Sequence, residues 1–218
     1  MNKMNEYAVA AGLFTLTAVG GVAVYTVMAP TSDDPFVDCR TSVVAGGTSQ
    51  IGGPFTLVDE NGVTVTDQDV LDVPSLIYFG YTYCPDVCPL DAARNSEAVA
   101  LLGEQGYEVQ PVFITIDPER DTPQLLKEFT DYLHPDMLGL TVTTEQVKAA
   151  SKAYRTYFKK QDGDPEYYLM DHSTFSYLTL PDHGFVEFFR REIRPEMLAE
   201  QIACFMDAKY HLSVFACI

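Results

Sequence analysis

Basic residues are scarce in this sequence. Its 218 residues include 14 Lys and Arg against 31 Asp and Glu, which gives a formal net charge of −17 at pH 7 and a pI near 4.4. A protein that binds nucleic acid needs a basic surface, so this composition argues against a nucleic-acid partner. Internal repeats and low-complexity tracts are also lacking, and the length fits one domain with an appendage.

Charge is missing altogether from residues 7–29. A run of about 20 apolar residues can cross the hydrocarbon core of a membrane as one helix, so we expect residues 1–30 to be a membrane anchor. A cleaved signal peptide is the alternative, because Val27-Met28-Ala29 resembles a cleavage site, but its apolar region would usually be only about 7–15 residues long. Lys3 before the span and Arg40 after it slightly favour a domain outside the cytoplasm.

The segment after the predicted anchor is rich in Pro, Gly, Ser, Thr and Asp. This composition is typical of a linker, which we place at residues 31–53. A domain at residues 54–210 and a tail at 211–218 complete the predicted organisation. Cys39 keeps open the alternative that the segment is an ordered arm packed on the domain.

The globular part shows an alternation of strand and helix patterns. Asn61-Gly62 between two short β-type runs is a hairpin signal, and the continuous apolar run at residues 75–81 is typical of a buried parallel strand. The remaining expected elements are a strand at 109–116, helices at 90–102, 123–134, 144–157 and 195–208, and a hairpin of strands at 174–180 and 185–189. This order predicts an α/β fold, a thioredoxin-like sandwich with an N-terminal β-hairpin extension, preceded by one transmembrane helix.

Two cysteines stand where the first buried strand gives way to a helix, in the motif Tyr83-Cys84-Pro85-Asp86-Val87-Cys88-Pro89. Pro89 suits the first helical position, which puts Cys88 at the helix cap. We therefore expect the Cys88 thiol to ionise readily at the positive helix end. Thiolates bind soft metals and attack disulfides, so Cys84 and Cys88 are predicted metal ligands and a redox-active pair.

Two alternatives to a metal site remain at this motif. The cysteines are then either buried structural residues or the dithiol of a thiol–disulfide oxidoreductase. A strand–helix junction with this pattern is hard to explain by packing. Oxidoreductases usually have two residues between the cysteines, whereas three residues separate Cys84 from Cys88, and the longer loop suits a metal better.

A third ligand must reach the same edge of the sheet. The strand after His172 should run antiparallel to the strand before Cys84, which brings His172 to the cysteines. His183 lies in the turn at the far end of that strand, His134 ends a helix, and His211 lies in the tail. Two thiolates and an imidazole suit Cu(I), and such a site also accepts Cu(II). The predicted cofactor is therefore copper.

Asp117 and Asp121 follow the second buried strand and reach the same edge of the sheet. They are candidates for a supporting role, in which they orient the ligands or a partner. Turn and cap chemistry, with Arg120 pairing locally, is the alternative that we favour.

The remaining cysteines are Cys39, Cys204 and Cys217. Cys204 lies beside the apolar stripe of the closing helix, where an arm can reach it. We predict a structural disulfide between Cys39 and Cys204 and a free thiol at Cys217, against the alternative of three unpaired thiols.

The motifs described above resemble those of the Sco/SenC/PrrC family of copper-binding proteins involved in cytochrome c oxidase assembly. The resemblance covers roughly residues 51–205 and rests on Gly52-Gly53-Pro54-Phe55-Thr56-Leu57, residues 80–89, residues 117–123 and Asp171-His172-Ser173. It implies that Cys84, Cys88 and His172 bind Cu(I) or Cu(II). It further implies one N-terminal helix in the inner membrane, with the domain in the periplasm or in the mitochondrial intermembrane space. Many relatives have His at the position of Tyr83, so one auxiliary donor is missing here.

Three functions fit this resemblance. The leading one is a copper chaperone for the dinuclear CuA site in the copper domain of cytochrome c oxidase subunit II. Such a chaperone is not an enzyme in the turnover sense. The alternatives are a membrane-tethered thiol–disulfide reductase acting on the oxidase cysteines, and a copper or redox sensor. Other copper chaperones and thioredoxin-like reductants are further expected partners. A chaperone needs His172, whereas a plain dithiol reductase does not.

Overall fold

A seven-stranded mixed sheet forms the centre of the fold. The computed structural model describes residues 34–42, 47–164 and 166–215. The strand order is β2-β1-β5-β4-β3-β8-β9, and β6 and β7 form a separate two-stranded sheet. The strands are β1 (Thr56–Asp59), β2 (Thr64–Thr66), β3 (Ser75–Gly80), β4 (Gln110–Thr115), β5 (Leu138–Thr141), β6 (Phe158–Lys160), β7 (Met170–His172), β8 (Ser176–Leu180) and β9 (Gly184–Phe189).

Within the described residues, five helices accompany the strands. They are α1 (Asp67–Val70), α2 (Val87–Glu104), α3 (Pro123–Leu133), α4 (Thr144–Ala153) and α5 (Pro195–Phe215), and a short 3-10 helix spans Thr48–Gln50. Thr122 caps α3 as predicted, because its side chain accepts a hydrogen bond from the Leu125 amide and Pro123 fits the first turn. The predicted apolar stripe of α5 is buried, and Leu198, Ile202 and Phe205 have no exposed surface.

The central strands position the site. Every residue of β3 is buried, which explains its continuous apolar sequence. β3 runs parallel to β4 and antiparallel to β8. The end of β3 and the beginning of β8 therefore lie at one edge of the sheet, as predicted.

The structure differs from the predicted elements at several points, and α1, β6 and β7 are among the elements that were not predicted. β5 was not predicted, because its four residues, Leu138–Thr141, are too few to show a clear period. α4 ends at Ala153 rather than at residue 157, since Arg155 has a left-handed φ of 52°. α5 continues past the expected end at Ala208 to Phe215.

Cys39 and Cys204 form a disulfide with a Cα–Cα distance of 5.7 Å, so the predicted pair is joined. The residues after Cys39 then contact β9. Arg40 donates a hydrogen bond to the Val186 carbonyl, and the Thr41 amide donates one to the Glu187 carboxylate at 3.1 Å. This part of the predicted linker is therefore an ordered arm packed on the domain, which is the alternative that the presence of Cys39 suggested. Cys217 lies outside the described residues.

The predicted anchor at residues 7–29 also lies outside the described residues. Within the part of the chain that the structure describes, no helix combines the length and the apolar character needed to cross a membrane.

Candidate metal centre

Cys84 and Cys88 lie in the turn that joins β3 to α2. β3 ends at Gly80, and α2 begins at Val87 with Asp86 as its cap residue. The prediction that Cys88 is the cap is therefore wrong, because the helix begins two residues before Pro89. Cys88 lies in the first turn of α2, where its amide points back along the helix axis and donates a hydrogen bond to the Cys84 sulfur at 3.4 Å.

Three potential ligand atoms converge at this turn. One ligand atom from each of Cys84, Cys88 and His172 lies within 4.8 Å of the other two, and the Cys88 sulfur is 3.3 Å from Nε2 of His172. Three ligands bound at about 2.0–2.3 Å from one ion would lie roughly 4 Å apart. The spacing therefore fits a single ion held by two sulfurs and one nitrogen, with small adjustments.

His172 ends β7 and comes to the site from the small sheet. Phe158 lies opposite it in the ladder between β6 and β7. Nδ1 of His172 lies 2.8 Å from the Ser173 carbonyl, and because a carbonyl only accepts hydrogen bonds, Nδ1 carries the proton. Nε2 therefore presents its lone pair to the sulfurs, as a metal ligand requires.

Two tyrosine rings hold the imidazole in place. The ring centroids of Tyr81 and His172 are 5.8 Å apart, those of Tyr78 and His172 are 6.5 Å apart, and both contacts are edge-to-face. The Tyr81 hydroxyl accepts a hydrogen bond from the Met170 amide at 3.2 Å, which ties β7 to the end of β3. Residues on two sheets thus fix His172 against the cysteines.

The two thiols differ in acidity. A hydrogen bond from Cys88 holds the pKa of Cys84 well below its usual range against the opposing effect of burial. The shared hydrogen bond with Cys84 and burial raise the pKa of Cys88. The expectation that Cys88 ionises readily is therefore wrong in the metal-free protein. Cys84 is the thiolate, since its sulfur accepts the hydrogen bonds of the turn.

A buried polar pair lies behind Cys88. The Tyr78 hydroxyl donates a hydrogen bond to the Asp91 carboxylate at 3.0 Å, and both side chains are buried. The Arg191 guanidinium lies 3.6 Å from the same carboxylate. Gly80 completes this wall, because a Cβ at that position would lie 2.8 Å from the Tyr78 ring and 3.1 Å from the Cys88 sulfur.

Asp121 supports the loop that precedes the cysteines. Its carboxylate has no exposed surface and accepts hydrogen bonds from the Thr82 amide at 3.0 Å and from the Thr115 hydroxyl at 2.6 Å. Asp117 accepts hydrogen bonds from Tyr168 and Arg120. Among the described residues, neither carboxylate belongs to the group that could hold a metal ion.

An arginine stacked between aromatic rings forms the outer rim of the site. The Arg120 guanidinium carbon lies 3.6 Å from the ring centroid of Tyr168 and 4.6 Å from that of Tyr83. Tyr83 is 52% exposed, so the residue beside Cys84 presents an aromatic ring to solvent. Tyr83 is thus part of a cation–π stack with Arg120.

Comparison with known proteins identifies the family. The profile of the SCO1/SenC family matches residues 44–207. The chain belongs to this family. Protein SenC of Rhodobacter capsulatus is 49% identical over 209 residues, which cover 95% of this chain and 94% of that protein. The mitochondrial SCO1 homolog 1 of Arabidopsis thaliana is 36% identical over 159 residues, which cover 72% of this chain and 48% of that protein.

Solved structures of Sco proteins share the fold. ScoI of Arabidopsis thaliana with copper bound matches with a TM-score of 0.67 and 37% identity, over 70% of this chain and 95% of that chain. ScoI of Bradyrhizobium japonicum with copper bound matches with a TM-score of 0.64 and 39% identity, over 70% of this chain and 98% of that chain. These matches confirm the thioredoxin-like α/β fold and the predicted family. Sco proteins are copper-binding proteins involved in cytochrome c oxidase assembly.

The residues that support the ligands were not predicted from the sequence. Tyr78 and Tyr81 read as core residues of a buried strand, and Asp91 read as a polar position of a helix. One signal could have found the pair: Asp91 lies three residues after Cys88, on the same face of the helix.

Proposed function

We propose that this protein is a copper chaperone that helps to assemble the dinuclear CuA site of cytochrome c oxidase, with the copper domain of subunit II as its partner. The observation that carries the proposal is the convergence of Cys84, Cys88 and His172 within 4.8 Å. Two sulfurs and an imidazole are soft and borderline donors, which suit Cu(I) and also accept Cu(II). The copper-bound relatives support this choice of metal.

The protonation states of the three residues suit reversible loading. The pKa of Cys84 is already lowered, and Nε2 of His172 already faces the sulfurs. Cys88 retains its proton, so copper binding releases a proton from this sulfur, and protons compete with copper as the pH falls. A cargo ion must leave again, and a ligand that regains a proton on release helps this step.

We further propose that residues 7–29 anchor the chain in the inner (cytoplasmic) membrane, with the domain in the periplasm. The mitochondrial inner membrane, with the domain in the intermembrane space, is the alternative. Residues 7–29 carry no charge, and the segment is long enough to cross a membrane as a helix. The bacterial and mitochondrial relatives are consistent with these two locations.

A thiol–disulfide reductase is the second candidate, and the acidity of Cys84 favours it. The Cys84 thiolate would attack a disulfide of the acceptor and release one acceptor thiolate. After losing its proton, Cys88 would attack the mixed disulfide. This step closes a Cys84–Cys88 disulfide, and two electrons pass to the acceptor, which leaves as a dithiol. This chemistry needs no metal and no ligation by His172.

Copper loading of His172→Ala tests the proposal. With the full-length protein and a competing chelator, we expect Cu(I) affinity to fall by more than about tenfold, and Cu(II) affinity to fall further, because imidazole matters more to the harder ion. Cys84→Ser and Cys88→Ser should each abolish tight Cu(I) binding. His183→Ala is the matched control, since His183 lies in the exposed turn between β8 and β9, and it should bind copper normally.

The same variants separate the two candidate functions. A chaperone with His172→Ala should fail to metallate the copper domain of subunit II at limiting copper. If His172→Ala instead supports a normal copper centre, the chaperone proposal is wrong and the reductase takes its place.

A further inference from the structure

Positive charge is concentrated in one segment of this acidic chain. Residues 148–160 contain five of the 14 cations and no Asp or Glu. All five side chains are exposed. They belong to α4, to the turn after it and to β6, namely Lys148, Lys152, Arg155, Lys159 and Lys160.

Most of this charge is not neutralised within the fold. Among the residues that the structure describes, Lys148, Lys152 and Lys159 take part in no ion pair, and the pairing of Lys160 with Glu119 is an exposed contact at 3.2 Å. The helix dipole explains a cation in the last turn of α4, where Lys152 lies. It does not explain cations on β6.

Three of the cations line a groove whose wall also contains a buried hydroxyl without a hydrogen-bond partner among the described residues. The groove has a volume of about 560 Å³, and its lining includes Lys148, Ser151, Lys152, Arg155 and Tyr157. Ser151 is only 3% exposed, and its Oγ has no hydrogen-bond partner among the described residues. Since buried hydroxyls are normally paired, this hydroxyl points to an acceptor group supplied by a ligand.

The groove adjoins the strand that carries His172. Two hydrogen bonds join Tyr157 and Ser173. The Tyr157 amide donates to the Ser173 hydroxyl at 3.1 Å, and the Ser173 amide donates to the Tyr157 carbonyl at 2.9 Å. Phe158 then lies opposite His172 in the ladder between β6 and β7. The same short segment therefore lines the groove and supports the metal ligand.

We propose that this basic groove docks carboxylates on the surface of the protein that accepts the copper ion. The inference rests on the proposed function, because it assigns the partner of that site. Cations and hydroxyls in one groove match carboxylate oxygens, which accept hydrogen bonds from both. Because the rest of the chain is strongly acidic, it repels an acidic partner everywhere except at this basic face. The partner therefore approaches from this side, and the metal site is oriented toward the partner.

A membrane surface is the less suitable occupant. Anionic lipids attract proteins through a dense cluster of cations near the bilayer. Five cations on a chain with a net charge of −17 leave a repulsive long-range field. A protein surface with a few carboxylates can instead engage the groove locally.

Binding of the copper-free full-length protein to the isolated copper domain of an oxidase subunit II tests the inference. We expect Lys148→Gln/Lys152→Gln to weaken binding about tenfold at low ionic strength, with little difference left at high salt. Lys127→Gln/Arg194→Gln removes the same charge elsewhere, from the half-buried, ion-paired Lys127 and the exposed Arg194, and it should bind like the unmodified protein. Neither double variant should change Cu(I) stoichiometry, since none of these residues is a ligand.

Ser151→Ala provides a second variant without a change in charge. Removal of an unpaired buried hydroxyl should leave the free energy of unfolding unchanged or raised, whereas affinity for the copper domain should fall about threefold. The inference is overturned if both double variants bind equally, or if the basic groove instead promotes binding to anionic vesicles or to a second copy of the chain. Because the assay needs no copper, its result stands apart from that of copper loading.

Discussion

Replacing Cys39 and Cys204 together by serine opens the disulfide that closes most of the described chain into one loop. The two cysteines are 165 residues apart in sequence. In the chain-entropy account, a loop of this length restricts the unfolded chain by about 5 kcal/mol, and removal of native bridges typically costs about 2–5 kcal/mol. We therefore expect Cys39→Ser/Cys204→Ser to lower the free energy of unfolding by about 3–5 kcal/mol.

The same change should release the arm on β9. Glu187 is only 1% exposed and accepts hydrogen bonds from Thr41 and Ser42. Without the disulfide, only non-covalent contacts keep the arm on β9, so the arm detaches from β9 more easily. The Thr41 amide should then exchange its hydrogen much faster than in the unmodified protein.

Urea-induced unfolding of the full-length protein measures the loss. Tyrosine fluorescence is a suitable signal, because the chain has 13 Tyr and no Trp. A thiol reductant is the matched control, since it should lower the stability of the unmodified protein to that of the double variant and leave the variant unaffected. A loss below about 1 kcal/mol would refute the reasoning.

The remaining predictions concern the two thiols and the pair behind them. In the metal-free protein, iodoacetamide should alkylate Cys84 but not Cys88 at about pH 5, because the pKa of Cys84 is lowered and that of Cys88 is raised; mass spectrometry that finds Cys84 unreactive below about pH 8 would contradict this assignment. Tyr78→Phe should destabilise the fold by about 1–3 kcal/mol at neutral pH. In the unmodified protein this hydrogen bond favours the charged form of Asp91 and opposes burial, which raises the pKa of that carboxyl. The cost should therefore be largest above the folded pKa of Asp91 and shrink as the pH falls through it. Denaturation at neutral and acidic pH checks this, and an equal cost at both would count against a role for the carboxylate charge.

Local signals in the sequence predicted the ligands and the core elements. Cys84 and Cys88 follow an uninterrupted apolar run, and such a run is buried as a central strand because every position in it avoids water. The antiparallel strand after His172 brings this residue to the same edge, so topology was sufficient to choose it among four histidines. The Cys39–Cys204 pair followed from one apolar stripe on α5.

Other features depended on long-range contacts that the pattern does not encode. The start of α2 at Val87 moves Cys88 into the first helical turn, and the hydrogen bond from Cys88 to Cys84 then decides which sulfur is ionised. The Tyr78–Asp91 pair joins a strand to a helix, and the burial of the Ser151 hydroxyl depends on packing around α4. The sequence by itself determined which residue types could bind a metal and which elements carry them. The tertiary structure decided their protonation and their support, because hydrogen bonds and burial set a pKa only once the chain is folded.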